Sequence, residues 1–111
     1  MIAIVDIGSN AVKYKIFDKK SMELIEYVRE PLRLGTDVFT TGSLSIEKIN
    51  ALLKLLNEYK KTFEIKNINE CHFIATSAIR DASNNKLIVD ALRKENINLQ
   101  IISGEVEAEL L

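Results

Sequence analysis

The sequence predicts an α/β fold, a mixed sheet with helices on its faces in the order β-β-β-α-β-α-β-α. Three strand-like runs follow one another closely at the start of the chain, and helical and strand patterns alternate after them. Such alternation predicts β-α-β crossovers, so that the later strands add in parallel to the first. The 111 residues are 47% hydrophobic with a single proline. We therefore expect one globular domain over residues 1–111.

The first three strands are predicted from the apolar pattern. The continuous apolar run "MIAIVD" is typical of a strand buried on both faces. In "AVKYKIFD" the apolar residues alternate, with Val12, Tyr14 and Ile16 on one face. The stretch "ELIEYVREPL" predicts a third strand, which ends at Pro31. Their short connections indicate an antiparallel meander.

A loop and a long helix are predicted next. The stretch "RLGTDVFTTGSLS" holds two of the four glycines and several Thr and Ser residues, which favours a loop. Ser45 is a suitable N-cap for the helix that follows. Apolar residues then recur at spacings of three and four, which predicts an amphipathic helix of about five turns. They are Ile46, Ile49, Leu52, Leu53, Leu56, Tyr59 and Phe63.

The remainder of the chain predicts two further strands and two helices. "ECHFIATSAIR" is a strand that runs into a polar turn, and "NLQIIS" is a short strand. Between them, a helix capped by Ser83 or Asn84 and ending near Asn96 has one apolar stripe. The stripe consists of Leu87, Ile88, Ala91 and Leu92. "GEVEAELL" begins another helix.

Charge and rare residues restrict the function. The net charge of −1 argues against a nucleic-acid partner held by a strongly basic surface. Cys71 is the single cysteine, so no intramolecular disulfide can form, and we expect it to be a small buried residue. The single histidine, His72, excludes a site of several histidines and is expected to cap or flank a strand. No apolar run is long enough to span a membrane, so we expect no membrane partner and a reducing, cytoplasmic location.

Polar residues follow the first strand directly, at "DIGSN". Glycine permits positive φ and close approach, so backbone amides beside Gly8 can converge on an anion, with Ser9 and Asn10 as side-chain donors. Asp6 would hold water or a hydrated Mg²⁺ facing the phosphate. An ordinary hairpin turn explains the same residues, and both interpretations stay open at this point.

Two later strand ends carry polar groups as well. Arg80 follows one strand and suits a pair of phosphate oxygens, although it could pair with Asp81 or Glu105 instead. After the last strand, Glu105, Glu107 and Glu109 suit a helix N-terminus, or one of them acts as a general base. Since open α/β sheets bind ligands at the carboxyl ends of their strands, three such breaks together favour a phosphate site.

These segments resemble a known family. "IVDIGSNAVKYKIFD", "RLGTDVFTTGSLS", "IATSAIRDASN" and "IISGEVEAELL" occur in the order and rough spacing of the exopolyphosphatase / guanosine pentaphosphate phosphohydrolase (Ppx/GppA) family, within the actin-like superfamily. The resemblance implies a ribonuclease-H-like domain that binds polyphosphate or guanosine pentaphosphate (pppGpp) against a second, similar domain. It also implies Mg²⁺-dependent hydrolysis of a terminal phosphoanhydride.

The resemblance also implies roles for individual residues. It makes Glu107 the catalytic base, Arg80 the arginine that binds substrate phosphate, and Arg33 a residue that approaches the polyanion. The first phosphate loop would consist of Asp6, Gly8, Ser9 and Asn10. Three positions depart from the family pattern, namely Ala11, Val106 and Glu109.

The second phosphate loop of the family, an Asp-Gly-Gly-Gly-Ser type motif, is not found in the 111 residues. We therefore expect the chain to be the N-terminal half of a two-domain enzyme, to be inactive in isolation, and to be able to form a homodimer. A half of an actin-like kinase or ATPase, or a non-catalytic binding module of the same fold, is the alternative.

Overall fold

The computed structural model describes residues 1–102, which form a five-stranded mixed sheet covered by helices. The strands are β1 (Ile2–Ile7), β2 (Ala11–Phe17), β3 (Leu24–Pro31), β4 (Glu70–Ala75) and β5 (Leu99–Ile101). The helices are α1 (Leu34–Thr41), α2 (Ile46–Ile65), α3 (Ser77–Asp81) and α4 (Asn85–Lys94). The helix predicted from "GEVEAELL" lies outside the described residues.

The strand order is β3-β2-β1-β4-β5, so the first strand of the chain lies at the centre of the sheet. β2 pairs antiparallel with both β1 and β3, which confirms the predicted meander. β4 pairs parallel with β1, and β5 pairs parallel with β4, as the crossover pattern predicted. Because Ile7 is in register with Ala75, the carboxyl ends of β1 and β4 lie side by side.

One face of β1 is in the core and the other is only half covered. Ala3, Val5 and Ile7 are fully buried, whereas Ile2 and Ile4 are half-buried. The prediction that β1 is buried on both faces was therefore wrong for the second face. On the core face, Tyr14 makes edge-to-face contacts with Tyr59 and Phe63, with ring centroids 4.8 and 5.1 Å apart. These contacts fix α2 against the sheet.

Helix α2 agrees with its sequence pattern. Ser45 caps it, its Oγ accepting a hydrogen bond from the Lys48 amide at 3.2 Å. The residues that α2 buries are Ile49, Leu52, Leu56, Tyr59 and Phe63. Ile46, predicted for the apolar stripe, is instead exposed in the first turn.

The segment predicted as a loop contains helix α1. Leu34 and Val38, one turn apart, are both buried in the core, and this burial outweighs the poor helix propensity of the Thr and Gly residues. Gly42 ends the helix in the left-handed region, with φ of 83°, and its amide donates to the Val38 carbonyl.

The polar turn after β4 was also predicted wrongly, since Ser77–Asp81 forms the short helix α3 with Ala78 and Ile79 buried. Helix α4 follows it and ends, as predicted, before Asn96, which is in the left-handed region. Ile88 and Leu92 are buried, and Ala91 is half-buried.

Three residues in the second half of the described chain are more exposed than the sequence suggested, or lie within a strand. Leu87 is 57% exposed, so it does not belong to the buried stripe of α4. Cys71 is exposed, because β4 enters the core only from Phe73 onward. His72 lies within β4, exposed, with its Nε2 3.1 Å from Glu70 Oε2. Across residues 1–102, the helices are too short or too polar to cross a membrane.

Candidate functional site

The residues that join β1 to β2 form the centre of the candidate site, and we call residues 8–10 the site loop. The Gly8 amide donates to the Ala11 carbonyl at 3.0 Å, which closes the turn. Gly8 does not use positive φ, but a Cβ there would lie 3.2 Å from the Ala11 carbonyl oxygen. The loop is thus a hairpin connection whose close approach favours glycine at position 8, and the expectation of positive φ at Gly8 was wrong.

Helix α1 holds the site loop from one side. The Arg33 amide donates to the Asn10 carbonyl at 3.0 Å, and the Gly35 amide donates to the Ser9 carbonyl at 2.9 Å. Arg33 is the N-cap residue of α1, in the left-handed region with φ of 55°, and its side chain is exposed. The start of α1 and the site loop therefore form one hydrogen-bonded unit.

The start of α3 holds the loop from the other side. The hydroxyls of Ser9 and Ser77 are hydrogen-bonded to each other. Thr76, only 3% exposed, donates from its amide to the Ile7 carbonyl at 3.2 Å. Sequence reasoning did not select Thr76 or Ser77, although two hydroxyl residues directly after a strand parallel to β1 were a usable signal.

Asp6 lies beside this loop on the half-covered face of the sheet. Its side chain is half-buried, and Oδ1 is shielded from solvent. The hairpin register places Lys13 directly opposite Asp6, and Arg29 directly opposite Lys13. A row of one carboxylate and two cations thus begins next to the site loop. The sequence analysis did not name Lys13 as a site residue, although a tight hairpin after Asp6 implies that the two residues pair.

Arg80 lies in α3, and its guanidinium is bound to neighbouring groups. Nε is 3.4 Å from Asp81 Oδ1, and Nη1 donates to the Ile102 carbonyl at 3.1 Å. The pairing with Asp81 that the sequence allowed is therefore present. The Arg80 side chain is 30% exposed, so it also reaches the surface at the same edge of the sheet.

The structure thus gathers six of the predicted site residues at the carboxyl ends of β1 and β4 or directly beside them. They are Asp6, Gly8, Ser9, Asn10, Arg33 and Arg80. Glu107 lies outside the described residues, and its role stays a prediction.

The capacity of this edge to bind a metal depends on one carboxylate. Within residues 1–102 no group of three or more His, Cys, Asp or Glu side chains could ligate a metal. Mg²⁺, however, is commonly bound through one or two carboxylates, with waters and substrate phosphates as its other ligands. Asp6 offers a carboxylate for such binding, directly or through water.

Three features define the class of protein. The 3-2-1-4-5 strand order, the parallel crossovers and the polar loop after the central strand are those of an actin-like, ribonuclease-H-like domain, the predicted fold. The sequence model of the Ppx/GppA phosphatase family matches residues 14–111. The chain belongs to this family.

Two curated relatives show how far the similarity extends. Exopolyphosphatase 1 of Mycobacterium tuberculosis is 27% identical over 113 residues, covering 98% of this chain and 33% of the relative. A bifunctional 3-dehydroquinate synthase/phosphatase of Fusobacterium nucleatum is 34% identical over 116 residues, covering 96% of this chain and 18% of the relative. The chain spans about a third of the length of the exopolyphosphatases that it matches.

Solved structures agree with the family assignment. The Ppx/GppA family member of Aquifex aeolicus superposes with a TM-score of 0.87 at 29% identity, covering 96% of this chain and 36% of that structure. An exopolyphosphatase from Cytophaga hutchinsonii superposes with a TM-score of 0.86 at 25% identity, covering 99% and 36% of the two chains. The predicted family and fold are therefore confirmed.

Proposed function

We propose that this chain is the N-terminal domain of an exopolyphosphatase / guanosine pentaphosphate phosphohydrolase. In this proposal the site loop binds the terminal phosphates of polyphosphate or pppGpp, and the complete enzyme hydrolyses the terminal phosphoanhydride. The observation that carries it is the site loop itself, held between α1 and α3 beside Asp6, with Arg33 and Arg80 nearby. Family membership and relatives named as exopolyphosphatases support the same reaction.

The hydrogen bonds of the loop indicate which groups would bind phosphate. The Gly8 amide is used by Ala11, whereas the amides of Ser9 and Asn10 donate no hydrogen bond within the described part of the chain. These two amides, together with the Ser9 hydroxyl, are the donors that we assign to an anion. Arg33 and Arg80 would add charge-assisted hydrogen bonds to phosphate oxygens.

The proposal includes Mg²⁺ at Asp6, directly or through water. When bound, the ion would neutralise phosphate charge and order the phosphates for attack by water. Glu107 remains the proposed base that accepts the proton of that water, a role implied by the resemblance.

We further propose that the 111-residue chain binds phosphates without hydrolysing them. Phosphoryl transfer needs groups on several sides of the transferred phosphorus, and the site loop supplies one side. The remainder of the cleft would come from a C-terminal domain. We also propose a cytoplasmic location, consistent with a single, exposed cysteine.

The test compares this chain with a longer form from its source gene. Both are incubated with polyphosphate, pppGpp or ATP in the presence of Mg²⁺, and released phosphate is measured. We expect release by the long form, its loss in Glu107→Gln, and a larger effect of Asp6→Ala on activity than on stability. Glu47→Gln, an exposed acid on α2, is the matched control and should keep full activity.

Other outcomes would redirect the assignment. Transfer of phosphate to an acceptor, without release, would indicate an actin-like kinase. Binding of polyphosphate without release by any form would indicate a regulatory module, and light scattering would then show whether the chain forms the expected homodimer. A large drop in melting temperature for Asp6→Ala would make Asp6 a structural turn residue.

A further inference from the structure

We propose that Gly35, in the first turn of α1, is a positioning residue that sets the location of Ser9 in the site loop. The inference rests on the proposed function, because it concerns the same phosphate site. Helix α1 therefore does more than cover the core, because its first turn fixes the backbone of the site loop.

Steric contact is the first evidence. A Cβ at position 35 would lie 2.9 Å from Ser9 Cβ, 3.0 Å from Phe39 Cε2 and 3.4 Å from the Ser9 carbonyl oxygen. The Phe39 ring is 71% exposed and can rotate away. Ser9 Cβ cannot move without its backbone, so glycine at position 35 is what allows Ser9 its observed place.

The backbone conformation of Gly35 makes this argument specific. Its φ does not lie in the left-handed region, so the backbone itself does not require glycine there. The amide of the same residue donates to the Ser9 carbonyl at 2.9 Å. The close approach of Gly35 to Ser9 and this hydrogen bond together fix the position of the loop relative to α1.

Hydrogen bonds at the far end of α1 oppose a retreat of the helix from an added methyl group. The Ser83 amide donates to the Gly42 carbonyl at 2.7 Å. The Ser45 amide, directly before α2, donates to Asp37 Oδ2 at 3.2 Å, and hydrogen bonds from the Ser45 hydroxyl and amide hold the pKa of Asp37 below its usual value. These hydrogen bonds oppose a retreat of the helix, so an added Cβ at position 35 would also displace the loop.

The displacement would be large on the scale of a binding site. Ordinary contacts of a Cβ are 3.4–4 Å, so the loop and α1 must separate by about 0.5–1 Å to accept a methyl group that starts at 2.9 Å. A misplacement of about 1 Å can cost on the order of 100-fold in the rate of a reaction, because the reacting groups lose their alignment. The Ser9 amide and hydroxyl would leave their positions together.

The experiment uses the 111-residue chain with Gly35→Ala and with Gly42→Ala as the matched control. Gly42 has φ of 83° with no atom within 4 Å of an added Cβ, so alanine there strains the backbone without touching Ser9. Amide resonances of Ser9 and Asn10 are recorded by ¹H–¹⁵N NMR, first in the free chain and then in a titration with inorganic tripolyphosphate and Mg²⁺. The melting temperature of each variant is measured in parallel.

We expect Gly35→Ala to shift the Ser9 and Asn10 resonances and to raise the Kd for tripolyphosphate at least about tenfold, the loss that one charge-assisted hydrogen bond would cause, with a fall in melting temperature no greater than that of Gly42→Ala. Gly42→Ala should lower the melting temperature and leave both resonances and Kd unchanged. Unshifted resonances in Gly35→Ala would overturn the proposal. So would weaker tripolyphosphate binding in both variants in proportion to their loss of melting temperature. A wild-type chain that binds no tripolyphosphate would remove the proposed phosphate site, while the resonances of the free chain would still decide the role of Gly35.

Discussion

Asn84 provides a quantitative test of the hydrogen bonds that hold residues 42–45, the connection between α1 and α2. It is the N-cap residue of α4, but its side chain makes no capping hydrogen bond. Its Oδ1 instead accepts from the Leu44 amide at 3.1 Å, and its Nδ2 donates to the Leu44 carbonyl at 2.9 Å. The side chain therefore ties the start of α4 to the residue before the N-cap of α2.

The magnitude follows from the groups that Asn84→Ala would leave behind. Leu44 is only 3% exposed, so its amide and carbonyl would lose their partners in a buried place. A buried group without a partner costs about 1–3 kcal/mol, and because both hydrogen bonds are only partly buried we expect the two groups to cost about 2–4 kcal/mol in total. At about 4 °C per kcal/mol for a chain near 100 residues, the melting temperature should fall by about 8–16 °C. Loss of an ordinary cap would cost only about 1 kcal/mol.

Urea unfolding and amide hydrogen exchange distinguish the tie from a cap. Asn84→Ser keeps a good capping residue but cannot reach both Leu44 groups, so it should be nearly as unstable as Asn84→Ala. The Leu44 amide should exchange at least about tenfold faster in both variants. Asn98→Ala, at an exposed position, is the control and should change stability by less than about 0.5 kcal/mol. Full stability in Asn84→Ser, with the Leu44 amide still protected, would refute the reasoning.

Three further predictions concern the core, the pH dependence and the thiol. Phe63 is 2% exposed, so Phe63→Ala should lower the free energy of unfolding in urea by about 3–5 kcal/mol. Ile65 is 81% exposed, so Ile65→Ala should lower it by less than about 0.5 kcal/mol. Equal losses in the two variants would contradict the packing described. Burial and the hydrogen bond to Glu26 raise the pKa of Tyr14 from 10.0 to about 12, so its neutral form is favoured on folding. That stability should be complete below about pH 10 and be lost as the pH rises through about 12, by at most about 1.4 kcal/mol per pH unit; a Tyr14→Phe variant with the same slope would exclude this cause. Cys71 is exposed, so an aromatic disulfide reagent should react with its thiol in the folded chain. Partial desolvation raises the pKa of this thiol, so the reaction should be slow at neutral pH. A reaction that occurs only in denaturant would contradict this prediction.

The elements with repeated patterns could be predicted from the sequence, because several residues repeat the same evidence. Helix α2 has an apolar residue on the core side of every turn and a serine cap, and both appear in the structure. The hairpins and the parallel crossovers follow from strand length and spacing in the same way. Such features depend on local pattern and on general rules of chain topology.

Helix α1 could not be predicted because its stability comes from distant contacts. Only Leu34 and Val38 carry a helical spacing, among glycine and threonine residues that favour a loop. The contacts that hold it, with Ser9 on one side and Ser83 on the other, join residues far apart in sequence. The candidate site shares this property: its residue types were visible after the strands, but the Ser9–Ser77 pair was not.

The hydrogen bond between the hydroxyls of Ser9 and Ser77 spans 68 positions of the chain, and this separation has a consequence for folding order. β1, β2 and β3 can pair as soon as they leave the ribosome, because their contacts are local. The site loop gains its second support only after β4 has inserted beside β1, which requires closure of a long loop. We therefore expect the loop to reach its final shape late in folding, after β4 has paired with β1.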